Sequence, residues 1–267
     1  MKNRTVSLVL GSGGARGHAH LGVIKALEEL NLDVRNIAGT SMGAVIGGVY
    51  AADKLDSYKD WAFGLTKRDV VGLLDFSFSL KSIFKGERII DELKEQLGDV
   101  QIEDLAKRFT AVATSLDEQR EVWLNSGSLF AAIRASAAVP GFFSPVTVDG
   151  RVLVDGGLIN PIPIAPTLND SNDLTIAVNL AGVSSDNKQS GTEDEELDGA
   201  DLLVKSIDIM QASIARLKLA AYAPDRTIEI PRDACSFFEF HRAEEMAELG
   251  YERAQSSLSD LSIESDS

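Results

Sequence analysis

Cysteine, histidine and positive charge are all scarce in this chain of 267 residues. A single cysteine, Cys235, excludes an internal disulfide and fits a reducing compartment. With only three histidines beside it, no zinc-type ligand cluster can be assembled from spacing, so no metal is expected. Lysine and arginine number 26 against 41 aspartates and glutamates, a formal net charge of −15 at pH 7. That balance argues against a nucleic-acid partner and against electrostatic docking on anionic membranes. Long apolar runs are missing too, and none approaches the roughly 20 residues of a membrane span. The first apolar run covers only Val6 to Leu10 and passes straight into a glycine loop. It is too short for a cleaved signal, so the expected location is the cytoplasm.

What is present fits one large α/β domain. Hydrophobic content of 44% and charged content of 25% are ordinary for a globular protein of this length. Apolar runs predict strands at Thr5–Leu10, Val34–Ala38, Phe109–Ser115, Glu121–Leu124, Leu174–Leu180 and Thr227–Ile230. Val146–Val148 and Arg151–Val154 flank Asp149-Gly150, the signal of a two-residue hairpin turn. Helices are expected from about Gly17 to Leu30, from Met42 to Ala52, and from Phe240 to about Leu258. Leu203, Ile207, Met210, Ile214 and Leu217 keep the three/four spacing of one more. Lys59 to Leu97 reads as mostly helical, with Trp61, Phe63, Phe76, Phe78 and Phe84 exposed. Gly182 to Gly199 is polar and carries Glu193, Asp194, Glu195, Glu196 and Asp198, which predicts a solvated acidic loop. The alternation of strands and helices predicts a mostly parallel sheet covered on both faces. One domain over residues 1–258 and a frayed tail over 259–267 complete the expected organisation.

Two motifs carry the chemistry. Gly11-Ser12-Gly13-Gly14-Ala15-Arg16-Gly17 follows the first strand and offers free backbone N–H groups to an anion at the start of a helix. Gly39-Thr40-Ser41-Met42-Gly43 is a G-x-S-x-G pentapeptide between a second strand and a small-residue helix, where a serine stands exposed on a tight turn. Together they point to acyl transfer, and a serine nucleophile needs a base. Ser41, Asp155 and His241 follow triad order, but His241 sits among Arg242, Glu244 and Glu245 in an amphipathic stretch where a surface histidine is the default. His18 and His20 lie beside the glycine loop, as packing or bracing groups. Asp155 remains, ending an apolar strand before Gly156-Gly157, with Val139, Phe142 and Phe143 as candidates to exclude water and raise its pKa. A dinucleotide-binding turn is the competing reading of the glycine loop, but the acidic residue it needs after the second strand is replaced by the serine pentapeptide.

These residues together resemble the patatin-like phospholipase family. Its signature is a G-x-G-G-x-[KR]-G loop, a G-x-S-x-G elbow, a D-G-[GA] aspartate and a small-residue stretch ending in proline. They stand here as Gly11–Gly17, Gly39–Gly43, Asp155-Gly156-Gly157 and Ala135-Ser136-Ala137-Ala138-Val139-Pro140, in order and without departure. The resemblance implies a three-layer α/β/α sandwich with a mostly parallel central sheet. It also implies a Ser–Asp dyad working with no histidine, metal or other cofactor. By position, Ser41 would attack the acyl carbonyl and Asp155 would accept its proton and later activate water. Backbone N–H groups of Gly13, Gly14 and Ala15 would hold the oxyanion, with Arg16 bracing the loop and adding positive potential. The implied substrates are phospholipids, lysophospholipids or other fatty-acyl esters, reached by transient contact with a membrane surface. The aromatic stretch from Trp61 to Phe84 is the candidate lid or docking patch, against the alternative that it is helical core. A patatin-fold regulatory or binding protein with slight esterase activity is the second function class.

Overall fold

Every residue of Thr5–Leu10 (β1) is buried, as a strand with neighbours on both edges and both faces must be. In the computed structural model, which describes residues 3–73, 92, 94, 95, 98, 100–184 and 199–263, β1 pairs in parallel with Asp33–Thr40 (β2) and with Leu174–Gly182 (β7). Arg108–Ser115 (β3) adds to β2 and Arg226–Pro231 (β8) to β7, also in parallel. Beyond β3 the pairing turns antiparallel. Arg120–Leu124 (β4) and Arg151–Asp155 (β6) both pair with β3, and Val146–Val148 (β5) closes a hairpin on β6. The eight-stranded sheet is thus mixed, with a parallel run of five strands.

Helices cover both faces. Leu8 and Leu10 of β1 point to the side packed by Ala19–Glu29 (α1), Met42–Ala51 (α2), Leu129–Ser136 (α5) and Ala243–Ser257 (α7). Val9 between them points the other way, onto Ile162, Ile164 and Ala215 of the long helix Gly199–Tyr222 (α6). This alternation along one strand gives the three-layer α/β/α sandwich that the resemblance implies. The helices α1 and α7 touch backbone to backbone. A Cβ built on Gly22 would lie 1.8 Å from the Ala247 oxygen, and one on Gly250 would lie 2.0 Å from the Ala19 oxygen.

The predicted strands, the hairpin and the helices after β1, after β2 and within α6 are present within a few residues of their expected ends. Helix α5 was not expected. It is capped by Ser128, whose hydroxyl accepts from the Ala131 N–H at 3.2 Å. In the aromatic stretch, Leu55–Phe63 (α3) and Lys67–Leu73 (α4) are helical as expected. Trp61 and Phe63, however, pack against the core and are not exposed. Phe76, Phe78 and Phe84, and the acidic residues Glu193 to Asp198, lie outside the described residues. Ser259–Ile263 forms a last short helix (α8) within the segment expected to fray.

Candidate active site

The strand register decides what meets what. On β3, β2 pairs with residues 108–112, β4 with 111–115 and β6 with 113–115. Because β4 overlaps both of the others, β2 and β6 must share the opposite edge of β3. They run toward each other along it: β2 ends with Thr40 beside Val112, and β6 ends with Asp155 beside Ala113. The residue after Thr40 is Ser41, so serine and aspartate are delivered end to end by consecutive positions of one strand.

Ser41 sits at φ 55° and ψ −123°, a region that residues with a side chain seldom occupy. The turn is held from several sides. Its N–H donates to the Ser136 hydroxyl at 3.0 Å, and that hydroxyl donates to the Val112 carbonyl at 2.6 Å. Its carbonyl accepts from Ala44 and Val45, starting α2 directly behind the side chain. A Cβ on Gly43 would come within 2.1 Å of the Leu10 oxygen, so the elbow fits against β1 only with glycine there.

Asp155 is buried, and burial pushes its carboxyl up to about 7, although the Ser41 hydroxyl and the Gly157 N–H both pull the other way. The Gly157 N–H donates to Oδ1 at 2.6 Å, and the Asp155 N–H is tied to the Ala138 carbonyl at 2.9 Å. Oδ2 is buried with no partner in full hydrogen-bond geometry, and so is the Ser12 hydroxyl. The Ser41 contact is therefore a loose one.

The glycine loop folds into a short turn, Gly14–His18, fixed by its own side chains. Arg16 is buried and fully engaged: Nε donates to the Gly13 carbonyl at 3.2 Å, and the two terminal nitrogens donate to the Arg232 carbonyl and to Asp208 of α6, each at 2.7 Å. These bonds tie the loop to α6 and to the chain at Arg232. The Ala15 N–H donates to the Phe237 carbonyl at 2.9 Å, so this amide is already occupied. Among the described residues the Gly13 and Gly14 N–H groups have no partner.

An apolar cavity of about 80 Å³ opens over Ser41 and Gly14, walled by Met42, Trp61, Val139 and Phe237 among others. His18 touches it but is a brace: burial holds its imidazole down at about 4, so Nδ1–H donates to the Ala15 carbonyl and Nε2 accepts from Tyr58. His20 is likewise buried and neutral, bonded to the Gly11 carbonyl. His241 lies in the turn Phe240–Arg242, and among the described residues no histidine hydrogen-bonds Ser41 or Asp155. Nor is there a group of three or more histidine, cysteine or acidic side chains among the described residues able to hold a metal.

A family profile described as patatin-like phospholipase matches residues 8–168, more than half of the chain. The chain belongs to the patatin-like phospholipase family. An uncharacterized NTE family protein of Mycobacterium tuberculosis is 37% identical over 98% of this chain and 93% of its own length. The human patatin-like phospholipase domain-containing protein 6 is 29% identical over 94% of this chain, which spans only 20% of that larger protein. Lysophospholipase nte1 of Emericella nidulans is 34% identical over 70% of this chain and 12% of its own. Among solved structures, VipD of Legionella pneumophila and the type III effector ExoU superpose with TM-scores of 0.50 and 0.51 at 13% identity, covering 97% and 98% of this chain and 67% and 53% of theirs. They share the patatin-like fold.

Of the expected site residues, Ser41 and Gly14 line the cavity, and the strand register brings Asp155 to the end of the strand that precedes Ser41. Ser136 was missed as a site residue, although the small-residue stretch of the patatin-like signature contains it. Only the fold shows that its hydroxyl ties the elbow to β3.

Proposed function

We propose that this protein is a serine acyl hydrolase of fatty-acyl esters, phospholipids or lysophospholipids among them, and that Ser41 and Asp155 form its catalytic dyad. The observation that carries this reading is the end-to-end arrival of Ser41 and Asp155 on one edge of β3, with Ser41 under an apolar cavity that is also lined by Gly14, whose amide has no partner among the described residues.

Ser41 Oγ attacks the acyl carbonyl, and its proton passes to the unpartnered Asp155 Oδ2. The negative charge that forms on the carbonyl oxygen is held by the Gly13 and Gly14 N–H groups, with the N-terminus of α2 favouring the same charge. Collapse breaks the ester C–O bond, and the leaving alcohol takes the proton back from Asp155. Water then attacks the acyl-Ser41 ester, Asp155 accepts the water's proton, and the fatty acid leaves as Ser41 regains its hydrogen. A carboxyl near 7 suits both steps, because it is a far better base than an exposed aspartate and still returns the proton readily. We take the chain as one catalytic domain acting in the cytoplasm. The names of the lysophospholipase and phospholipase relatives favour a lipid ester over a small soluble one.

Purified protein is expected to hydrolyse a short-chain p-nitrophenyl ester and to release fatty acid from a lysophospholipid. Ser41→Ala and Asp155→Asn should each remove most of both activities, with the double variant little worse than either single. Losses that multiply, or wild-type protein that turns over neither substrate, would remove the dyad and leave a binding protein on a patatin scaffold.

A further inference from the structure

Helix α6 places its apolar residues on more than its buried side. Ile207, Ala212 and Ala215 are buried, whereas Leu203, Met210 and Leu217, which share the three/four spacing with Ile207, are exposed. Leu202, Leu203, Ile209, Met210 and Leu217 face outward, with 58, 37, 69, 51 and 71% of their surfaces exposed. These five are half of the exposed large apolar side chains among the described residues. At 3.6 residues per turn they share one face with Ser206, Ser213, Ala220 and Ala221, and that face holds no acid. Asp201 falls on the far side of the helix, and Asp208 turns inward to Arg16. The exposed bases Lys205 and Arg216 lie along one edge of the apolar face, and Ile214 and Ile207 lie along the other. In a chain of net charge −15, a helix face free of acids and with bases along one edge is a local departure that needs a cause.

This face is continuous with the wall of the cavity. Leu203 reaches over Gly141, and Val204 and Ile207 pack in one cluster with Val139, Phe142 and Phe237. Val139 and Phe237 also line the space over Ser41. The cluster includes Val70, whose neighbour Val71 is 60% exposed.

We infer that the outward face of α6 is a lipid-docking surface, which rests on a phospholipid layer and passes acyl chains into the cavity; the inference rests on the acyl-hydrolase reading above. An acyl chain cannot leave an aggregate through water without exposing its full apolar surface. A helix lying in the interface with apolar residues below and bases along one border removes that barrier, since Lys and Arg stems reach up to the phosphates while the apolar side chains enter the acyl boundary. A second copy of this chain would also cover the apolar residues, but would not account for the bordering bases or the continuity with the substrate cavity.

The test is sedimentation of the full chain with phosphatidylcholine vesicles, in a Ser41→Ala background so that binding is read apart from hydrolysis. Ile209→Gln with Leu217→Gln should lower partitioning about tenfold or more. The same pair in the wild-type background should leave p-nitrophenyl ester turnover and melting temperature unchanged. Leu217→Gln alone reads the same way should the pair fail to fold. Unchanged partitioning, or a parent chain that stays in solution, overturns the inference even if ester hydrolysis stands. A lipid-free dimer that the substitutions split into monomers also overturns it, because the face is then a self-interface. Vesicle binding without any ester turnover would keep the docking surface and remove the hydrolase reading.

Discussion

The Asp155 carboxyl gives the site a pH dependence opposite to that of an ordinary surface aspartate. Burial raises its folded pKa to about 7, above an unfolded value of about 3.9. In the proposed dyad the deprotonated form is the base, so kcat/KM on a soluble ester should climb through an acid limb near pH 7 and level off above it. A limb near pH 4 would mean that water reaches the carboxylate. For stability the charged form is the costly one. The wild type bears no cost below about pH 4, an increasing cost between 4 and 7, and the full cost above 7. Asp155→Asn should therefore raise the melting temperature most at alkaline pH and least near pH 4; a gain that shrinks as pH rises would show a carboxylate favoured in its charged state. His18 and His20 act in the other direction. Their folded values near 4 lie below the ordinary 6.5, so the stability they contribute is intact above 6.5 and is lost as pH falls toward 4.

At the level of elements, the strands were legible because buried β runs are apolar, and β1, β2 and β6 run into glycine-bearing motifs. The elbow and the aspartate were legible for the same reason, each marking the end of a strand. Helix α5 was hidden by its eight-residue length and small side chains, although Ser128 and the spacing of Leu129, Ala132 and Ile133 carry its signal. The spacing over α6 identified the helix but not its surroundings, because periodicity reports an apolar arc without saying how much of it is covered. The glycines that bring α1 and α7 into contact were equally silent, since their role depends on a partner more than 200 residues away. Gly22→Ala would set a methyl carbon 1.8 Å from the Ala247 oxygen, forcing the two helices apart. It should lower the urea midpoint by the equivalent of roughly 1–3 kcal/mol. Activity per folded molecule should change little, because neither helix supplies a reacting group. An unchanged midpoint would show that the helices separate freely.

For the molecule as a whole, charge and lipid contact pull against each other. At −15 the chain is repelled by an anionic surface, while the face of α6 gains from apolar burial. Adding phosphatidylglycerol to vesicles should therefore weaken adsorption at low ionic strength. Raising salt should restore it, since exposed charges are screened over about 10 Å at 0.1 M. Adsorption that falls with salt would point to attraction by the bases instead. The sheet carries a further consequence. Ser41 and Asp155 are 114 positions apart in the sequence, yet the gap between them is the step from Val112 to Ala113. Strand β3 thus acts as a ruler, setting the spacing of the two groups proposed as the dyad. One residue inserted at that step would lengthen the gap by roughly 3.3 Å and turn the following side chains to the other face of the sheet. The fold has slack for many changes in its helices and loops, and none at that one peptide unit.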